Sequence, residues 1–76
     1  MIKVTSIGYQ QDNVQATVDY DLEGEQHSFI VYAKLRQIYA MNEEELKEYV
    51  RGRVESERSS RLRELVEMKL DGLIDV

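Results

Sequence analysis

Few residues in this 76-residue chain have side chains suited to chemistry, and they are scattered. His27 stands near the start of a predicted strand, the chain has no cysteine, and no serine lies in a nucleophile motif. A general base needs a reacting proton within hydrogen-bond reach, and nothing around His27 predicts one. We therefore interpret His27 as a hydrogen-bonded or exposed structural residue.

Acidic side chains are more numerous, but local structure accounts for them. Three glutamates at positions 43–45 suit the positive end of a helix dipole, and Asp19 and Asp21 suit a strand end and a turn. Neither group has the spacing of a metal-binding loop, and the four glycines are too dispersed for a phosphate-binding loop. We predict no enzyme activity, no catalytic residue, no metal site, no cofactor and no small-molecule substrate.

Basic residues form one stripe that has a functional interpretation. Four of them fall within roughly 80° of one another on an ideal helix: Lys47, Arg51, Arg58 and Arg61. Such a stripe is typical of phosphate contacts, which makes a nucleic-acid-associated or regulatory protein the alternative function. Glutamates interrupt the stripe and the net charge is −5, so a salt-bridged, solvated helix face is the favoured interpretation.

Three strands are predicted to precede that helix. Apolar and polar residues alternate strictly over residues 14–20. This alternation places the apolar residues on one face of the strand: Val14, Ala16, Val18 and Tyr20. Residues 26–33 follow the same alternation after a turn that contains Gly24. In the first strand, residues 2–9, the apolar positions change face after Ser6, which indicates a bulge or a frayed end near Gly8; we favour the frayed end.

The helical region begins at a well-marked position. Asn42 can cap the first turn, and Glu45 stands three residues later, as in a capping box. The preceding segment, residues 34–41, suits either a continued strand or a short turn of helix. From Glu43 to Leu70 an unbroken helix would be about 42 Å long, whereas a seven-residue strand spans about 23 Å.

These elements predict an α+β fold, a three-stranded antiparallel β-meander followed by a long C-terminal helix (βββα). Residues 1–76 form one small domain, with the sheet and connection in 1–41 and the helical region and a short apolar tail in 42–76. The helix either continues or breaks near Ser59 and Ser60, and we favour continuity because neither glycine nor proline lies there. The predicted core consists of Val14, Ala16, Val18, Phe29, Val31, Leu46, Val50 and Val54.

The distal helix carries apolar residues that the sheet cannot reach. Residues 55–61 are entirely polar, so the overhang is predicted to begin there. The apolar residues that follow are centred roughly 130° around the helix axis from the residues that face the sheet. We call these residues the distal stripe: Leu62, Leu65, Val66, Leu70 and Leu73. A second candidate interface, on the outer face of the sheet, contains Ile30 and Tyr32, to which Ile7 and Tyr9 of the first strand are expected to contribute.

The sequence thus predicts a non-catalytic protein-interaction or assembly module, which forms a homodimer or binds another protein through the distal stripe. No apolar run approaches the roughly 18–20 residues that span a bilayer. The N-terminus lacks the basic segment followed by an apolar segment that a signal peptide has. Together with the absence of cysteine, this predicts a cytoplasmic protein without a membrane association.

Overall fold

The chain forms three antiparallel strands followed by two helices, in a computed structural model that describes residues 1–73. The strands are β1 (Lys3–Gln10), β2 (Asn13–Leu22) and β3 (Glu25–Lys34), and they lie in the order β1-β2-β3. The helices are α1 (Leu35–Ala40) and α2 (Glu43–Asp71). The predicted α+β class and βββα order are confirmed, and the ambiguous segment before Asn42 is the short helix α1.

Two-residue loops connect the strands. Glu23 and Gly24 have φ angles of 50° and 82°, as the two central residues of a type I′ hairpin turn do. In the first hairpin Gln11 takes the left-handed conformation, with φ at 54°. The loop consists of Gln11 and Asp12, because β1 ends at Gln10 and β2 begins at Asn13.

A β-bulge in β1 decides which side chains face the helix. Val4 pairs with Val18 and Ser6 pairs with Thr17, which leaves Thr5 as an extra residue. The inserted residue returns Ile7 to the face of its partner Ala16, on the side of the sheet that α2 covers.

The expected frayed end is therefore wrong, because β1 pairs in register as far as Gln10. Tyr9 pairs with Val14 and also lies on the helix side. The prediction that four apolar residues share the outer face is wrong for the same reason. The bulge places Ile7 and Tyr9 on the helix side, so Ile30 and Tyr32 are the two that remain on the outer face.

Helix α2 is continuous for 29 residues, or about 43 Å. Its start is the predicted capping box, in which the Asn42 side chain accepts from the Glu45 amide at 2.8 Å and the Glu45 carboxylate accepts from the Asn42 amide at 3.0 Å. Ser59 and Ser60 lie inside the helix without a break, and Gly72 is the C-cap residue.

The buried core is small and lies where α2 crosses β2 and β3. It contains Val18, Tyr20, Leu22, Val31 and Val54. Ala16, Phe29 and Val50 of the predicted core are partly buried against it, and Val14 and Leu46 are half-buried. The sequence prediction did not include Tyr20 and Leu22, although both continue the inward alternation of β2.

Candidate interaction surfaces

A set of polar contacts anchors α2 at the point where it leaves the sheet. The Tyr20 hydroxyl donates to the Glu57 carboxylate at 3.1 Å. The Arg58 guanidinium donates from Nε to the Asp21 carbonyl at 2.9 Å and from a terminal nitrogen to the Asp21 carboxylate at 3.0 Å. The polar run at 55–61 therefore crosses the end of the β2–β3 hairpin, and the expectation that the overhang begins at residue 55 is wrong.

Tyr20 is the centre of this anchor. Its side chain is 1% exposed and packs edge-on against Phe29, with ring centroids 5.6 Å apart. His27 also stacks on the Tyr20 ring, at 5.7 Å between centroids. The His27 side chain is 18% exposed, so packing against Tyr20 is its main contact in the fold.

Two members of the anchor, Tyr20 and Asp21, have shifted pKa values. Burial, and then the hydrogen bond to the Glu57 carboxylate, raises the pKa of the Tyr20 phenol above its usual value. For the Asp21 carboxyl, a hydrogen bond from the Met1 ammonium lowers the pKa, and its own backbone amide and Arg58 act in the same direction.

We expect the anchor to weaken at alkaline pH. In the unfolded chain Tyr20 ionises near pH 10, while the folded protein holds the neutral phenol to higher pH. The contribution of Tyr20 to the free energy of unfolding should be full below about pH 10 and be lost as the pH rises through the folded-state pKa. Urea denaturation across this range checks it: Tyr20→Phe should lose less stability than the native protein, and equal losses would contradict the assignment.

Beyond the anchor, the distal stripe is exposed along its length. Leu65 is 37% exposed and Leu70 is 57% exposed, and the other three members also have exposed side chains. Leu62, Leu65 and Val66 border a hollow of about 600 Å³ whose other wall is formed by Leu22 and His27 near the tip of the β2–β3 hairpin. The part of the tail prediction that concerns residues 74–76 lies outside the described residues.

A second apolar surface lies at the opposite end of α2. The helix covers β2 and β3 but leaves the helix-facing side of β1 open, so that Ile7 remains 60% exposed. Between β1 and the first half of α2 lies a groove of about 510 Å³. Most of the residues that line it are apolar: Ile2, Val4, Ile7, Val14, Ala16, Val18, Val31, Ile38, Leu46, Tyr49 and Val50. Three charged residues on the helix side complete the lining: Glu43, Lys47 and Arg51.

The groove was not predicted from the sequence, because its existence depends on the bulge at Thr5. The change of apolar face after Ser6 is a local signal, but it is compatible both with a frayed end near Gly8 and with the bulge at Thr5 that the strand pairing shows.

The outer face of the sheet holds the second predicted interface. Ile30 and Tyr32 are exposed there and pair with Thr17 and Gln15 of β2. Two apolar side chains among polar neighbours are ordinary for a solvated sheet face, and their role as an interface stays a prediction.

Each residue of the predicted basic stripe has an acidic partner. The distance from the side-chain nitrogen to the carboxylate oxygen is 3.4 Å for Lys47 and Glu43 and 3.1 Å for Arg51 and Glu48. It is 3.5 Å for Arg61 and Glu64. Arg58 Nη1 lies 2.6 Å from Glu55 Oε1, in addition to the contact with Asp21 described above. The four pairs along the helix match the salt-bridged face that the sequence favours; phosphate binding by this stripe stays a prediction.

Two further properties concern the described residues alone. Within residues 1–73 no helix is long and apolar enough to cross a membrane. In the same part of the chain no three or more histidine, aspartate or glutamate side chains are grouped so that they could hold a metal ion.

The fold and these surfaces define a small α+β domain with two exposed apolar surfaces at opposite ends of one helix. Comparison with protein-family models, with curated proteins and with solved structures gave no match to this chain. The functional interpretation therefore depends on the chain's own surfaces.

Proposed function

We propose that this protein is a non-catalytic assembly module that self-associates through the distal stripe. The observation that carries the proposal is the exposure of four apolar side chains on the distal half of a helix that continues past its sheet, and of Leu73 just beyond its end. Complete burial of each such side chain stabilises an assembly by about 1.5–3 kcal/mol. Contiguous apolar surface of this kind is typical of an interaction site.

The shape of the chain supports the same proposal. Its radius of gyration is 15.6 Å, whereas a compact chain of this length has about 11 Å. The excess reflects the projection of α2, since the longest axis measures 53 Å against 24 Å for the next. A small core and a long unsupported helix leave association as the available means of reinforcement in a chain without disulfides.

A symmetric dimer is the simplest assembly that satisfies these surfaces. A two-fold interface uses the same patch on both copies and closes without further growth. The basic stripe gives no comparable argument for nucleic acid, because its members are engaged with neighbouring carboxylates.

Sedimentation velocity at micromolar concentration tests the proposal. We expect the native protein to be a dimer and the double variant Leu65→Glu, Leu70→Glu to be a monomer with an unchanged helical circular dichroism spectrum. The matched control is Ser56→Glu, Ser60→Glu, which adds the same charge to exposed positions on the other side of the same helix and should stay dimeric.

Two results would contradict the proposal. A native protein that is monomeric throughout the concentration range would rule out self-association. A stable dimer of the Leu65→Glu, Leu70→Glu variant would move the interface elsewhere, with Ile30 and Tyr32 as the next candidates.

A further inference from the structure

The apolar groove between β1 and α2 needs an occupant, and we infer that it is the distal stripe of a second copy of the chain. In this arrangement two copies exchange the distal ends of their α2 helices about a two-fold axis. The inference rests on the proposed self-association and adds to it the surface that receives the stripe.

The groove has the chemistry that such a stripe requires. Aliphatic side chains line its floor and its β1 wall, among them Val4, Ile7 and Val14. Lys47 and Arg51 stand on the helix-side wall, next to solvent. An amphipathic helix that lays its apolar face into a hydrophobic groove is a recurrent mode of recognition.

The outer wall of the groove, formed by Lys47 and Arg51, lies on the same side of α2 as the distal stripe. Lys47 on the groove wall and Leu65 in the stripe are 18 residues apart, which is five turns of an ideal helix. Arg51 and Leu62 are 11 residues apart, or about three turns. One partner molecule placed along this side of the helix therefore faces both surfaces.

An antiparallel two-fold arrangement uses both surfaces at once. The groove lies beside the first half of α2 and the stripe lies on the second half, so an antiparallel partner helix brings its stripe to the groove and its groove to the stripe. The contact is made twice in a closed dimer, and each copy supplies both halves of it.

The exposed area agrees with this occupant. The chain exposes 6214 Å², whereas a compact monomer of its mass exposes about 4,800 Å². The excess of roughly 1,400 Å² exceeds the ~800 Å² that each partner buries in a standard protein interface. A second copy can cover an area of this size, whereas a small apolar ligand in the groove would leave the stripe in water.

Complementation between two variants tests the exchange. Ile7→Lys places a charge in the groove at an already exposed position, and Leu65→Glu places one in the stripe. Each variant alone should dissociate, with a dimer dissociation constant raised roughly 10- to 100-fold. The matched control for the groove is Tyr32→Lys on the outer face, which should leave the dissociation constant within about threefold of the native value.

Mixing the two variants should restore a dimer in sedimentation velocity. The heterodimer contains one native groove with one native stripe, and its other contact sets a lysine opposite a glutamate. We expect its dissociation constant to lie within roughly tenfold of the native value.

Chemical crosslinking gives a second readout that does not depend on charge. Because the chain has no cysteine, Ile7→Cys and Leu65→Cys each introduce a single thiol for a bismaleimide reagent. A mixture of the two should give covalent heterodimers, and Tyr32→Cys mixed with Leu65→Cys should not.

The possible outcomes separate the two proposals. If Ile7→Lys folds and remains a native-like dimer while Leu65→Glu dissociates, stripe packs on stripe; this inference then fails and self-association through the distal helix stands. Crosslinks that form only between Leu65→Cys copies would overturn the inference in the same way. If the native protein is monomeric, the proposed function fails and the exchange fails with it.

Discussion

Val18→Asp is expected to abolish cooperative folding. Val18 is 1% exposed at the centre of the core, between Val4 of β1 and Phe29 of β3. A carboxylate placed there has no cationic partner within the core, and burial of an unpaired charge costs several kcal/mol. A core of this size usually supplies only about 3–5 kcal/mol of net stability, so the variant should show no cooperative transition in thermal circular dichroism.

Thr17→Asp is the matched control for this prediction. Thr17 is the preceding residue of the same strand and pairs with Ser6 and Ile30 on the outer face. The substitution introduces the same charge on the solvent side of β2 and should cost no more than about 1 kcal/mol. A Val18→Asp protein that melts like the native one would mean that the two faces of β2 are assigned the wrong way round.

Tyr20→Ala is expected to destabilise the protein by about 3–5 kcal/mol, as removal of a large buried aromatic side chain does. The substitution removes the contacts with His27 and Phe29 and leaves a cavity beneath α2. It also takes the hydroxyl partner from Glu57, at the point where the helix leaves the sheet. Urea denaturation should show a largely unfolded protein or a strongly lowered midpoint.

Tyr20→Phe separates the two parts of this loss. It keeps the ring and removes only the hydrogen bond to a charged acceptor, which is worth about 1.5–3 kcal/mol. The variant should therefore fall between the native protein and Tyr20→Ala. Equal stability of Tyr20→Phe and Tyr20→Ala would assign the whole effect to the Glu57 contact and none to packing.

The sequence determined the type and order of the elements, because those depend on short-range physics. Alternation fixes which side chains of β2 share a face, and Gly24 permits the positive φ of the second hairpin turn. The capping box at Asn42 and Glu45 satisfies the amides that a helix start leaves free, so the first residue of α2 could be read from the chain. The exposed distal stripe followed from helix length and angular position alone.

Only the tertiary structure decided the features that depend on strand pairing. The extra residue at Thr5 is visible only once Val4 is set against Val18 and Ser6 against Thr17, and this pairing turns Ile7 towards the helix and creates the groove. A one-residue change of register moves every following side chain to the other face of a strand, so local sequence could not settle it.

The polar anchor was hidden for a related reason. In sequence, Glu57 and Arg58 belong to a charged run that is typical of a solvated helix. In the fold they meet Tyr20 and Asp21, each 37 residues away along the chain, because α2 passes the end of β2 at this point. Helical periodicity describes one element at a time, whereas these contacts arise from the placement of α2 on the sheet.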